Sequence, residues 1–275
     1  MTRNTAWEKV KLARHPKRPT SAFLIGQLFP DFLELHGDRQ FGDDLAIVGG
    51  IATFNGIAVT IIAEEKGVDT EDKIKHNFGM PHPEGYRKAI RLMKQAEKFK
   101  RPIICIIDTP GAYPGIGAEE RGQAQAIAYN LREMMSLKTP IVIVVLSEGG
   151  SGGALAIGVG DDILMFENSI YAILSPEGFA SILFKDSSKA DHAASLMKLT
   201  AQDLKGFNVI DTIIKEGNGL HIDADFGVGE LRKQLTKSLA KLTKLSENTL
   251  LNKRYLKFRN MGDFIEQGEK NESQD

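Results

Sequence analysis

Twice in this chain of 275 residues an apolar, β-branched run ends in glycines and a helix opens on the far side. The longer instance is Pro140-Ile-Val-Ile-Val-Val-Leu-Ser147, then Glu148-Gly-Gly-Ser-Gly-Gly153, then Ala154 to Gly160. A run of that composition, bounded by Pro140 and the glycines, predicts a strand covered on both faces, and the small residues that follow predict a helix packed close to it. A helix starting there presents unpaired backbone N–H groups and a partial positive charge, which suits an anion. The second instance ends at Asp108 and continues Thr109-Pro-Gly-Ala-Tyr-Pro-Gly-Ile-Gly117 before Glu119 and Glu120 open a helix. Two such loops together predict paired backbone-donor sites for an enolate or another developing oxyanion.

The rest of the chain predicts an α/β fold. Strand-like runs fall at Ala46 to Phe54, Ile57 to Ala63, Pro102 to Asp108, Pro140 to Ser147 and Ile163 to Ile173. Apolar residues at helical spacing mark Glu84 to Phe99 (Tyr86, Ala89, Ile90, Met93, Ala96, Phe99) and Gln123 to Met135 (Ala124, Ile127, Leu131, Met134). Asn55-Gly56 is a hairpin signal, so the order is strand, strand, helix rather than a pure βαβ series. The first forty residues read as an arm with a basic stretch (Lys9, Lys11, Arg14, His15, Lys17, Arg18), solvated or in contact with another subunit, and a short helix around Phe23 to Leu33. From Phe226 a stripe of Val228, Leu231, Leu235, Leu239, Leu242 and Leu245 predicts a long helix. Ser246 caps another through Leu250, Tyr255 and Phe258, and the polar segment after Gly262 reads as a frayed tail. The expected division is one domain over 1–245, its arm being 1–40, followed by a helix and tail over 246–275.

A net charge of -1 argues against nucleic-acid binding, and the absence of an apolar signal-peptide core or of a membrane-length apolar run predicts a cytoplasmic protein without a membrane span. The one cysteine, Cys105, sits inside an apolar run and reads as buried and inert. His76 and His82 lack the helical spacing of a metal pair, and no metal site is expected.

The glycine loop fails the dinucleotide fingerprint, because Leu155 stands where a third Gly or Ala is needed, and no Gly-Lys-Ser/Thr phosphate loop occurs. By its letters it does satisfy the Gly-x-Ser-x-Gly nucleophile elbow, with His192 and His221 the only later histidines. A serine hydrolase using Ser151 is therefore an alternative, although four glycines around one serine favour backbone approach over a side-chain nucleophile. The long polar stretch Lys66 to Lys88 is of the kind that carries function. Lys66, Arg87 and Lys88 are candidates to position an anionic substrate, with a plain helix-surface role open for the last two.

Asn77-Phe-Gly-Met-Pro81, Pro83-Glu-Gly-Tyr-Arg-Lys88, Asp108-Thr-Pro-Gly-Ala-Tyr-Pro114, Gly117-Ala-Glu-Glu-Arg-Gly122, Gly149 to Asp161 and Ser175-Pro-Glu-Gly178, in this order, closely resemble the alpha subunits of bacterial acetyl-CoA carboxylase carboxyltransferases. The resemblance runs from about Ala13 to Ile214 and continues more weakly through Asn252-Lys-Arg-Tyr255. It implies a crotonase-like (ClpP/crotonase) fold of repeated strand-strand-helix units with a C-terminal helical extension. It implies transfer of a carboxyl group from carboxybiotin, carried on the biotin carboxyl carrier protein, to acetyl-CoA, giving malonyl-CoA for fatty acid synthesis. The implied partners are a beta subunit in an alpha2beta2 assembly, that carrier protein and biotin carboxylase. No cofactor would be held permanently, and zinc would sit only on the beta subunit.

The resemblance also assigns roles. Backbone N–H groups of Gly149, Gly150, Ser151, Gly152 and Gly153 would hold the ureido oxygen of biotin, while Gly111, Ala112, Tyr113, Lys66 and Arg87 would contact substrate. A biotin anion left after carbon dioxide release in a dry site can itself deprotonate the acetyl methyl group, which accounts for loops without an evident acid or base. In longer relatives an extra helical region precedes Ala13, and Glu65 stands where relatives tend to have a neutral residue, an acid expected to weaken anion binding at Lys66. A noncatalytic scaffold with a crotonase fold is the alternative from another class.

Overall fold

The computed structural model describes residues 4–262; the expected tail after Gly262 lies outside the described residues. Eight strands form one mixed sheet: β1 (Leu33–Glu34), β2 (Ile47–Phe54), β3 (Ile57–Glu64), β4 (Ile103–Thr109), β5 (Ile141–Gly150), β6 (Asp162–Phe166), β7 (Ile170–Ala172) and β8 (Thr212–Ile214). The order is β1-β2-β3-β4-β5-β6-β8, with β7 paired to β5. β1, β2 and β3 are antiparallel neighbours, and from β3 onward every pairing within the sheet is parallel. The hairpin expected at Asn55-Gly56 joins β2 to β3; both residues are left-handed, at φ 48° and 78°, as a two-residue turn between twisted strands requires.

Twelve helices pack around the sheet in the described residues: α1 (Ala6–Ala13), α2 (Ser21–Leu28), α3 (Thr70–Lys75), α4 (Pro83–Lys98), α5 (Ile116–Glu120), α6 (Gln123–Ser136), α7 (Ser151–Leu155), α8 (Pro176–Phe184), α9 (Ala190–Met197), α10 (Ala201–Gly206), α11 (Ala224–Leu242) and α12 (Glu247–Arg259). β4 shows why two layers are needed. Its Ile104 and Ile106 join a core with Leu24 and Leu28 of α2 and the Val228-Leu231-Leu235-Leu239 stripe of α11. Its Ile103, Cys105 and Ile107 enter the opposite core with Ala89, Leu92, Met93 and Ala96 of α4 and Met134 of α6. Alternate residues of one strand thus face two apolar layers, as a continuous apolar run demands. The fold is crotonase-like α/β, with strand-strand-helix units in β2-β3-α4 and β6-β7-α8.

Three expectations need correction. The single strand expected over Ile163 to Ile173 is two: β6 pairs Val142–Val145 of β5, the chain breaks at Glu167 to Ser169, and β7 then pairs Glu148–Gly150 farther along the same edge. The strand expected to end at Ser147 runs on through Gly149 and Gly150, because β7 supplies it with a partner there. The basic stretch is solvated only in part: Lys11, Arg14 and Lys17 are exposed, but Lys9 and Arg18 are buried. Lys9 donates to Glu167 O and Gln202, and the buried Arg18 forms a two-pronged ion pair with the buried Glu216 while also donating to Leu146 O. A guanidinium in that position is tolerated because each of its three nitrogens finds an acceptor. Near the other terminus, the buried Arg254 ties α12 to the sheet layer through Asp161 and the carbonyls of Met134, Leu137 and Thr139.

Candidate active site

The two glycine loops leave the parallel sheet at the C-terminal ends of the adjacent strands β4 and β5 and lie against each other. Thr109 pairs with Gly149 across an irregular step after Ile107. Thr109 Oγ1 accepts from Gly111 N–H at 3.0 Å and donates to Gly111 O at 2.8 Å, which turns the first loop sharply. A β-carbon on Gly153 would lie 2.7 Å from Gly111 C and 2.8 Å from Ala112 N; one on Gly150 would overlap the Pro110 carbonyl; one on Gly149 would lie 2.6 Å from the Tyr171 ring. The space that these glycines leave is thus filled by the chain itself. Only at Gly152 would an added β-carbon meet nothing closer than an ordinary contact, with Ile127 at 3.4 Å. The glycine requirement comes first from loop-to-loop packing, a finer reason than the ligand approach expected from the sequence.

The helix after Gly150 is a single short turn, α7, with no side-chain cap. Its first N–H groups, on Ser151, Gly152 and Gly153, therefore have no acceptor within the helix. Ser151 is exposed and sits at φ 49°, a left-handed conformation like that of a nucleophile elbow. Its histidine is missing. His221 lies tilted against His15 with ring centres 4.3 Å apart, His192 lies against Phe184 at 5.3 Å, and no hydrogen bond joins either to Ser151. The serine hydrolase alternative fails on this geometry.

Tyr113 is held from three sides: its N–H donates to Pro81 O at 3.1 Å, its carbonyl accepts from Gln123 Nε2 at 3.0 Å, and its ring stacks on His82 at 4.1 Å. Lys66 Nζ lies 2.6 Å from Asp108 Oδ1, the same oxygen that accepts Glu148 N–H at 3.3 Å. One buried carboxylate thus ties the end of β3 to the start of the glycine segment. The Asn77-Phe78-Gly79 turn, left-handed at all three residues, covers this pair; a β-carbon on Gly79 would lie 2.8 Å from Lys66 Cβ. Glu65 is not the acid facing Lys66. It is buried and accepts from Ala22 N–H and Gly67 N–H.

Burial raises the Asp108 carboxyl above its ordinary range despite Lys66, and burial raises Glu64, which accepts Asp108 N–H at 3.1 Å, well above it. Glu64 Oε1, Asp108 Oδ2 and Tyr86 OH are all buried without a hydrogen-bond partner. The anion-positioning role open for Lys88 is excluded, since its ammonium is fully buried against Asp43 and Asp44 O. Arg87 is not brought to the loops. It pairs with Asp38 at 2.7 Å, donates to Arg121 O, and lines a different cavity.

Two residues at the loops escaped the sequence reading. Arg14 bridges Glu148 at 2.7 Å and Glu177 at 2.8 Å, clamping the glycine segment to α8, and both Arg14 and Glu148 line a cleft of about 40 Å3 with Pro110, Gly149 and Gly150. The Ser175-Pro-Glu177 motif is the available signal for that clamp, because Ser175 caps α8 and so fixes Glu177 in its first turn. Among the described residues no group of three or more His, Cys, Asp or Glu side chains is placed to hold a metal, and no helix is long and apolar enough to cross a membrane.

Paired backbone loops at the ends of parallel strands, with no nucleophile-base couple beside them among the described residues, define an α/β protein of the crotonase-like kind, suited to holding an oxyanion by backbone donors. The fold is shared with transcarboxylase 12S, with a TM-score of 0.68 at 18% identity over 82% of this chain and 42% of that one. Residues 1–262 match the family described as acetyl co-enzyme A carboxylase carboxyltransferase-like. The acetyl-coenzyme A carboxylase carboxyl transferase subunit alpha of Clostridium perfringens is 60% identical over 93% of this chain and 95% of its own length. That of a Geobacillus species is 60% identical over 94% and 80%. The chain belongs to this family and is a carboxyl-transferring enzyme of the acetyl-CoA carboxylase type.

Proposed function

We propose that this chain forms the biotin-facing half of the carboxyltransferase site, passing a carboxyl group from carboxybiotin on a carrier protein to acetyl-CoA. The observation that carries this reading is the packing of Gly153 against the Gly111–Ala112 peptide in a chain whose family is carboxyltransferase. In this reading the N–H groups opening α7 donate to the ureido oxygen of biotin, with Gly149 and Gly150 holding the strand in line. Gly111, Ala112 and Tyr113 form the facing wall, and Lys66 offers its ammonium to the carboxylate of the malonyl product. Fixed donors of this kind are worth roughly 2.7–4 kcal/mol each where they have been measured.

The cleft at the loops, about 40 Å3, is far below the roughly 300 Å3 at which small-molecule sites begin. A second surface has to complete it, and a beta subunit carrying the coenzyme A site and its own zinc is the partner proposed, in an alpha2beta2 assembly served by biotin carboxylase in the cytoplasm.

The chain mixed with its beta partner, free biotin and malonyl-CoA should yield acetyl-CoA by the reverse reaction, with neither chain active alone. Gly153→Ala displaces the Gly111–Ala112 peptide without adding a functional group, and is expected to lower kcat at least tenfold (order of magnitude from), while Gly152→Ala has room and serves as the control. A folded Gly153→Ala protein with undiminished kcat would favour a noncatalytic scaffold and end the paired-loop reading.

A further inference from the structure

A cavity of about 720 Å3 opens between α4, α6 and the segment around Asp38, and it shares no lining residue with the cleft at the glycine loops. Arg39, Arg87, Arg91, Lys94 and Arg121 line it, with Asp38 the only acid in its wall. Three of these cations are answered by carboxylates: Arg87 by Asp38 at 2.7 Å, Arg121 by Glu84 at 2.9 Å and Lys94 by Glu133 at 2.9 Å. Arg39 and Arg91 have no carboxylate within ion-pair distance among the described residues. Both donate instead to one carbonyl, His36 O, at 2.8 and 3.1 Å, and Arg91 also donates to Gly37 O.

That convergence holds two guanidiniums side by side over a neutral acceptor, which cannot balance two full charges. Burial, and then repulsion from Arg39, depress the Arg91 pKa from its ordinary value. Asp43 and Asp38 oppose this shift without cancelling it, and an anion between the two guanidiniums would offset their repulsion. Guanidiniums present planar forks that match phosphate oxygens, and the concave volume falls within the roughly 300–1,000 Å3 of small-molecule sites rather than resembling a flat macromolecular face. Tyr129, in the same wall, adds an aromatic ring.

We propose that this cavity binds a small molecule bearing a diphosphate group, held by Arg39 and Arg91, at a site separate from the one that carries out carboxyl transfer. The inference does not depend on how the glycine loops act.

Calorimetric titration of the purified full-length chain at low ionic strength tests it, with inorganic pyrophosphate, ADP and coenzyme A as separate probes. Saturable pyrophosphate binding is expected, weakened about tenfold or more in Arg39→Gln/Arg91→Gln, the equivalent of one charged hydrogen bond. It should be unchanged in Gly153→Ala, which separates this site from the loops. If the double variant does not fold, Arg39→Gln alone, in an exposed position, should weaken binding about threefold or more, a loss in the range of one modest hydrogen bond. Tighter binding of ADP or of coenzyme A than of pyrophosphate would identify a nucleotide or the acyl carrier thiol as the source of the diphosphate. No saturable binding of any probe, or binding untouched in both arginine variants, overturns the proposal.

Discussion

Lys66 and Asp108 form an ion pair at 2.6 Å in which the carboxylate is wholly buried and the ammonium is partly open to solvent. The pair therefore links the core to the site, and removing one partner is not equivalent to removing the other. Lys66→Met leaves an uncompensated buried acid and should destabilise the protein by about 3–5 kcal/mol. Asp108→Asn keeps an acceptor for Glu148 N–H and should cost less. In the double variant the stranded charge is gone, so the two losses should not add; urea unfolding of all four proteins gives the coupling, expected at about 1–3 kcal/mol. Additive losses would show that Lys66 is held by something other than Asp108.

Glu64 sits one step deeper, and its carboxyl is pushed well above 4.5 by burial, with the nearby Asp108 adding to the effect and its N–H opposing it. The unfolded chain loses this proton near 4.5 while the folded chain keeps it, so the folded state binds more protons and stability falls as pH rises through that interval. Glu64→Gln has no such titration. Its stability relative to the parent should improve as pH is raised from about 5 to 8, by at most about 1.4 kcal/mol per unit. A pH-independent difference between the two unfolding series would mean that Glu64 is ionised in the folded protein.

The features legible in the sequence are those set by neighbours a few residues away. The Asn55-Gly56 hairpin, the apolar face of α4 from Tyr86 to Ala96 and the stripe of α11 through Leu242 depend on local turn chemistry or on helical periodicity, and the structure has them where they were expected. Phe99, by contrast, is exposed, and α6 is turned so that Gln123, Ala126, Asn130 and Met134 are buried and Ala124 is exposed. Nothing local to Lys88, Arg18 or Arg254 marks them as buried. Their acceptors lie at Asp43, Glu216 and Asp161, which only the tertiary fold brings near. The break between β6 and β7 was hidden for the same reason: Ser169 at the break is held by distant groups, Arg18 and Leu146 O. At the site, the two glycine loops were legible as separate motifs, but their mutual contact was not, and that contact changes why the glycines are needed.

Arg18 and Glu216 supply a second ion pair, this one closed to solvent on both sides. Burial alone would raise the Glu216 pKa, but the guanidinium and two donors from Asn168 outweigh it and hold the carboxyl below 4.5. Glu216→Gln leaves Arg18 buried without a counter-charge and is expected to cost about 3–5 kcal/mol near neutral pH. A depressed carboxyl contributes stability that is complete above its unfolded pKa and is lost as pH falls through the folded one, so the gap between parent and variant should narrow only below about 4.5. Chemical unfolding across the acid range measures it, and a gap that narrows on the alkaline side instead would contradict this assignment.

Ser151 gives the sharpest test of what the glycine loop does. It holds φ 49° between two glycines, a conformation that costs an L-residue about 1–2 kcal/mol, and it has no histidine to take its proton. Ser151→Ala retains the backbone cost and the N–H while deleting the hydroxyl. A backbone-donor site should keep kcat within about threefold, whereas a serine nucleophile would lose on the order of 10⁴-fold or more. Ser151→Gly also relieves the left-handed strain but adds freedom to the unfolded chain, worth about 0.4–1 kcal/mol in the other direction. Its stability should therefore stay within about 1 kcal/mol of the parent, on the favourable side, with the reverse carboxyl-transfer rate again retained. Loss of turnover in both variants while both remain folded would return the hydroxyl to the centre of the chemistry, because the backbone donors are the same in all three proteins.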